Sequence, residues 1–246
     1  MRPARLAVVL VAHGSRDPRA AASTEALARA VRRAHPSWEV HASYLDHAGP
    51  RPLDVLASLP GRQAVLVPLL LTEAYHGRVD VPAIVAEAAG LPVDVTLAGV
   101  LGPTPSSPVV PPALLDGLER RLPHAGLDAV VLAAAGTRNA AARETISWAA
   151  EALSARLSVP CVAAYASASP PDAGVAVSRL RADGARRIGV AAYFLAPGFL
   201  YDLAVRSARE AGAVVVADPL GDAPDLVRLV ASRVLAATGR ALPAAA

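Results

Sequence analysis

The sequence predicts an α/β protein made of two similar doubly wound domains, each a parallel four-stranded sheet flanked by helices. Three observations lead there. The chain repeats itself: LAVVLVAHGSRDPRAA (6–21) lines up with DAVVLAAAGTRNAAAR (128–143) at an offset of 122 residues. Short apolar runs alternate with longer Ala/Arg-rich segments, which is the order expected of parallel strands covered on both faces. Between the copies, GPTPSSPVVPP (102–112) carries five prolines and can neither pair as a strand nor coil as a helix.

Each element follows from its own pattern. The first strand of each copy is the apolar run ahead of the Gly-Ser/Thr-Arg turn. WEVHASYL (38–45) and VPCVAAYA (159–166) are the second strands. RQAVLVPLLL (62–71) and RRIGVAAYFL (186–195) have the length and continuous apolarity of buried third strands. VDVTLAGVL (93–101) and AVVVADPL (213–220) are the fourth. Residues 23–34, 146–157 and 203–211 have helical composition and period, and a further helix is expected over 113–122, after the prolines. The expected domains are 1–125 and 126–246. In such sheets ligands sit beyond the carboxyl ends of the strands, so chemistry-bearing residues should follow the strands directly.

Composition narrows the function. The chain has 246 residues, 54% of them hydrophobic and 18% charged, which excludes a disordered segment. Its single cysteine, Cys161, excludes an internal disulfide framework, an all-cysteine zinc site and a self-contained iron–sulfur cluster. All 24 basic residues are arginine, so no lysine is present for a Walker-type phosphate loop or a Schiff base. The net charge is +3, with scattered arginines and 4% aromatic residues, which argues against nucleic acid and for an acidic small molecule gripped by guanidinium forks. No uninterrupted apolar run approaches the roughly 18 residues of a membrane helix. LAVVLVA reads as a first strand rather than a signal peptide, because a near copy recurs mid-chain. A cytoplasmic protein, monomer or homodimer, is expected.

All six histidines lie at or before position 124. His13 directly follows the first strand in VLVAHGSRDP, with Gly14 and Ser15 as turn residues. The second copy has Ala135 there but keeps the glycine, the hydroxyl and Arg138, so the fold does not require an imidazole. Asp46 and His47 end the second strand in SYLDHAGP. His76 follows the third strand in LLLTEAYHGRVDVP, four residues ahead of Asp80; the second copy keeps an aspartate, Asp202, without a histidine. His35, His41 and His124 read as structural. Imidazoles and a carboxylate converging on one sheet edge can bind a divalent metal with positions left open, or accept and release protons.

AHGSRDP after the first strand, YLDH after the second and PLLL…YHGRVDVP after the third together resemble the sirohydrochlorin chelatase family, in its long two-domain form. The resemblance spans nearly the whole chain. It implies insertion of a divalent metal substrate, Fe2+ or Co2+, into sirohydrochlorin on the route to sirohaem or cobalamin, without ATP or an organic cofactor. It places the metal-binding pair at His13 and His76 and the catalytic carboxylate at Asp46, where the family commonly has Glu. Ala74 is a second departure, from a glycine. One active site per chain is implied, because the second copy lacks both histidines. Ser15, Arg16, Arg51 and Arg78 are candidates for holding the polycarboxylate tetrapyrrole, with Arg138 beside them. Two alternatives use the same residues: a non-catalytic tetrapyrrole or metal carrier, and a histidine phosphatase. The second fits less well, since Ala12 stands where such enzymes carry a phosphate-clamping arginine.

Overall fold

The computed structural model describes residues 5–59, 62–73, 80–123 and 126–239. The first four strands are β1 (Leu6–Ala12), β2 (Trp38–Tyr44), β3 (Gln63–Pro68) and β4 (Asp94–Leu97), joined through helices α1 (Pro18–Ala34), α2 (Pro52–Ala57) and α3 (Val81–Ala88). Helix α4 (Pro112–Arg121) follows the proline-rich stretch. The second half runs β5 (Ala129–Ala134), α5 (Ala140–Leu157), β6 (Cys161–Tyr165), α6 (Ala173–Ala182), β7 (Ile188–Tyr193), α7 (Phe199–Glu210), β8 (Val215–Val216) and α8 (Pro224–Ala237).

The strands form two four-stranded sheets, ordered β2-β1-β3-β4 and β6-β5-β7-β8, and every pair is parallel. The expected fold class is the one observed. Residues 7 to 11 of β1 are fully buried, as are Val130, Val131 and Leu132 of β5, which is why both strands read as continuous apolar runs without alternation. In the first sheet Ala7, Val9 and Val11 pack on Val55, Leu56 and Leu59 of the α2 region and on Val81 and Ala88 of α3. Period-two alternation turns Val8 and Leu10 to the other face.

The chain clusters into two compact units, Met1–Leu101 with Asp222–Ala246, and Gly102–Gly221. The division proposed from the sequence, 1–125 and 126–246, follows the repeat instead. The two differ because the last helix of each copy packs with the other copy. Helix α8 lies on α1 and β3 in the first unit, and Arg233 Nη2 donates to the Leu101 carbonyl (3.2 Å). Helix α4 lies on α5 and β7 in the second unit, and Arg121 Nη2 donates to the Leu220 carbonyl (3.0 Å). Each sheet face needs two helices to leave water, and the helix that completes it arrives from the other repeat.

Helix starts use the residues the turns supply. Asp17 caps α1 by accepting from the Arg19 amide, and Asn139 caps α5 by accepting from the Ala142 amide. No helix among the described residues is long and apolar enough to cross a membrane.

Candidate active site

In a 2-1-3-4 sheet the connections leaving β1 and β3 run in opposite directions, and this switch point at their carboxyl ends is where open α/β sheets bind ligands. His13 is the residue that leaves β1 at this point, and it is exposed. Its position is fixed through the backbone. The Leu45 amide donates to the Ala12 carbonyl, and the Asp46 amide to the His13 carbonyl (2.9 Å each). The β1 and β2 ends are thereby tied one residue beyond the last ladder pair, Ala12 with Tyr44.

Gly14 explains how the two turns come so close. It sits at φ +91°, and a Cβ placed there would lie 1.8 Å from the Asp46 carbonyl oxygen. Only glycine permits both the left-handed angle and that approach. The turn continues with Ser15, whose Oγ accepts from the Asp17 amide (3.1 Å), and with exposed Arg16.

Asp46 projects a half-exposed carboxylate beside this turn. The His47 amide donates to Asp46 Oδ1 (2.8 Å), and the His47 ring Nε2 lies 3.5 Å from Oδ2. Arg51, at the start of α2, reaches Oδ1 with its guanidinium (3.8 Å) and donates to the Leu45 carbonyl. The His47 amide holds the Asp46 carboxyl below the usual carboxylate range; partial burial opposes this, and the His47, Arg51 and His13 charges add to it. Asp46 is therefore ionised at neutral pH, a fixed negative charge on a turn whose backbone is bonded to that of His13.

The β1–β2 edge thus brings together His13, Ser15, Arg16, Asp46 and Arg51. His76 and Arg78, and with them the second expected metal ligand, lie outside the described residues, as does His124. Asp80 directly precedes α3. Arg138 is exposed in the matching turn after β5. His35 and His41 have the structural roles expected: His35 caps the end of α1 and stacks on Trp38 (4.1 Å between centroids), and His41 Nε2 lies 3.2 Å from Glu39 Oε1. Among the described residues no group of three or more His, Cys, Asp or Glu side chains is placed to hold a metal ion. Cys161 is half-buried in β6, and desolvation pushes its thiol up to about 12, which disfavours the thiolate at neutral pH. His47 was visible in the sequence, but its ring contact with Asp46 depends on a left-handed backbone (φ 61°) that no spacing signals.

Fold and edge together define a duplicated parallel α/β protein whose first half alone carries imidazole and carboxylate at its strand ends. The CbiX family model matches residues 7–111 and again residues 129–237. The chain belongs to the CbiX family, and the resemblance to the sirohydrochlorin chelatases read from its motifs holds. Among solved structures, it is similar to SirB from Bacillus subtilis with Fe3+, with 20% identity over 96% of each chain and a TM-score of 0.76. It is also similar to the sirohydrochlorin chelatase SirB from Bacillus subtilis subspecies spizizenii in complex with cobalt (20% identity, 96% of each chain, TM-score 0.73). A third likeness is to CbiX, the terminal enzyme for biosynthesis of siroheme in denitrifying bacteria (20% identity, 95% of this chain and 99% of that one, TM-score 0.65). At such identity these likenesses establish the fold. A search of curated proteins finds no match.

Proposed function

We propose that the chain is a sirohydrochlorin chelatase: it inserts a divalent metal substrate, Fe2+ or Co2+, into sirohydrochlorin in sirohaem or cobalamin biosynthesis. The observation that carries this is the backbone tie that sets His13 and Asp46 side by side at the carboxyl end of β1, in a chain that the CbiX family model matches twice. His13 and His76 are the proposed metal-binding pair. Neutral imidazole suits a substrate ion, because it exchanges more readily than a set of thiolates would.

Two pyrrole protons must leave as the metal enters. Asp46 is a weak base, because its pKa is held low, so an imidazole better matches the task of taking a proton near neutral pH. The role assigned to Asp46 is to draw the dication to the edge and to stabilise positive charge on His13. Arg16, Arg51 and Arg78, with Ser15, are proposed to bind the substrate carboxylates. Nothing in this scheme calls for an organic cofactor. The proposed setting is cytoplasmic.

The test is anaerobic turnover of sirohydrochlorin with Co2+ or Fe2+, followed by absorbance. Many turnovers per chain are expected. A single stoichiometric change would make the protein a carrier and overturn the assignment.

A further inference from the structure

We propose that His47 is a positioning residue that holds the Asp46 carboxylate in one orientation beside His13. The orientation rests on geometry alone; its catalytic consequence rests on the chelatase reading above. The backbone of Asp46 is already fixed: its amide donates to the His13 carbonyl (2.9 Å), and its own carbonyl accepts from the Ala48 amide (2.7 Å). The side chain is half-exposed and would turn freely about its two torsions without a partner. His47 engages both oxygens, Oδ1 through its amide at 2.8 Å and Oδ2 through ring Nε2 at 3.5 Å. Arg51 approaches Oδ1 from the start of α2 at 3.8 Å.

The second half supplies the control. Ala168 stands in the matching loop at φ 64°, beside Ser167, where His47 stands at φ 61° beside Asp46. The left-handed turn therefore forms with alanine. The fold does not require the ring, and what the ring touches is the carboxylate.

His47→Ala is accordingly expected to fold. The backbone amide at position 47 and Arg51 still reach Oδ1 in this variant, so only the hold on Oδ2 is lost. Three-bond couplings of the Asp46 β protons, measured by NMR, should report one dominant rotamer in the unmodified protein and a measurable shift toward a rotamer mixture in the variant. Unchanged couplings, or averaging already present without the substitution, overturn the proposal. In the metal-insertion assay the same variant should lower kcat about tenfold, the usual scale for losing the partner of a site residue, with KM for the tetrapyrrole moving less than about twofold. His47→Asn tolerates the positive φ and offers a side-chain N–H, so it should recover most of that loss. A wild-type kcat in His47→Ala overturns the catalytic part. Failure of the chelatase reading looks different: the unmodified protein then inserts no metal, while the couplings still respond to His47→Ala.

Discussion

Gly14 lies at φ +91° with its Cβ direction 1.8 Å from the Asp46 carbonyl; Gly136 lies at φ +93°, 1.9 Å from the Ser167 carbonyl. The bonds around them match as well. Asp46 N–H to His13 O is repeated as Ser167 N–H to Ala135 O, and Tyr44 N–H to Pro50 O as Tyr165 N–H to Pro171 O. Ser15 and Thr137 accept from the residue two further on, Asp17 and Asn139. Two copies of one backbone trap thus carry different side chains: His13, Asp46 and His47 in one, and Ala135, Ser167 and Ala168 in the other. In the second copy the hydroxyls turn inward, Ser167 Oγ to the Ala135 carbonyl (2.9 Å) and Ser169 Oγ to the Thr137 carbonyl (2.6 Å). The difference separates what folding needs from what chemistry needs. The glycine and the turn bonds belong to the fold, and the imidazole and carboxylate are extra.

The sharpest way to break that separation is to convert one copy into the other. His13→Ala reproduces Ala135 in an equivalent trap, so the variant should unfold at the same urea concentration as the unmodified protein. Metal insertion should fall by about a hundredfold or more, the scale of a lost acid–base or ligand group. A variant that keeps its rate moves the chemistry away from β1. A variant that unfolds shows that the imidazole was structural after all.

The glycines test the shared part. Gly14→Ala and Gly136→Ala each force a methyl group onto a carbonyl oxygen at a left-handed angle. Each should destabilise its unit by roughly 2–4 kcal/mol, read as a lower denaturant midpoint. Gly14→Ala should also displace His13 from Asp46 and lose metal insertion in the fraction that remains folded. Gly136→Ala should cost stability with a smaller effect on rate. Equal rate losses in the two variants would mean that the second edge takes part in the chemistry.

The sequence made the first and third strands of each copy legible because buried parallel strands leave uninterrupted apolar runs, as in VVLV of β1 and VVLA of β5. The fourth strands are shorter than their apolar stretches, with β4 Asp94–Leu97 and β8 only Val215–Val216. His13 was legible because it directly follows such a run and because the repeat exposes the substitution of Ala135 for His13; Asp46 was legible from its place at the end of the second strand, in SYLDHAGP. The exchange of α4 and α8 was not. An amphipathic helix shows that it needs an apolar partner, but not which sheet supplies one, so the repeat and the compact units part ways near residues 102 and 222. The collision that fixes Gly14 was also hidden, since Gly-Ser reads as an ordinary turn until the Asp46 carbonyl is beside it. His76 and Arg78 rest on their motif.

The smallest expected effect lies where the two copies differ in a helix cap. Helix α6 starts at Asp172, whose Oδ1 accepts from the Val175 amide (2.9 Å) and from Ser207 Oγ (3.0 Å). Helix α2 starts at Arg51, a side chain with no acceptor to offer, whose guanidinium turns instead to Leu45 and Asp46. Asp172→Ala should therefore cost about 1 kcal/mol, whereas Arg51→Ser should gain up to about 1 kcal/mol and weaken tetrapyrrole binding, a local exchange of stability for substrate contact. The hydrogen bond from the Val175 amide lowers the Asp172 pKa below its ordinary 3.8. The contribution of the charged cap is thus complete above that value and fades as pH falls through the lowered one. Asp172→Asn caps equally well without titrating, so its urea midpoint should match the unmodified protein at pH 7 and exceed it in stronger acid. A difference that does not change with pH would show that the α6 cap draws nothing from its charge.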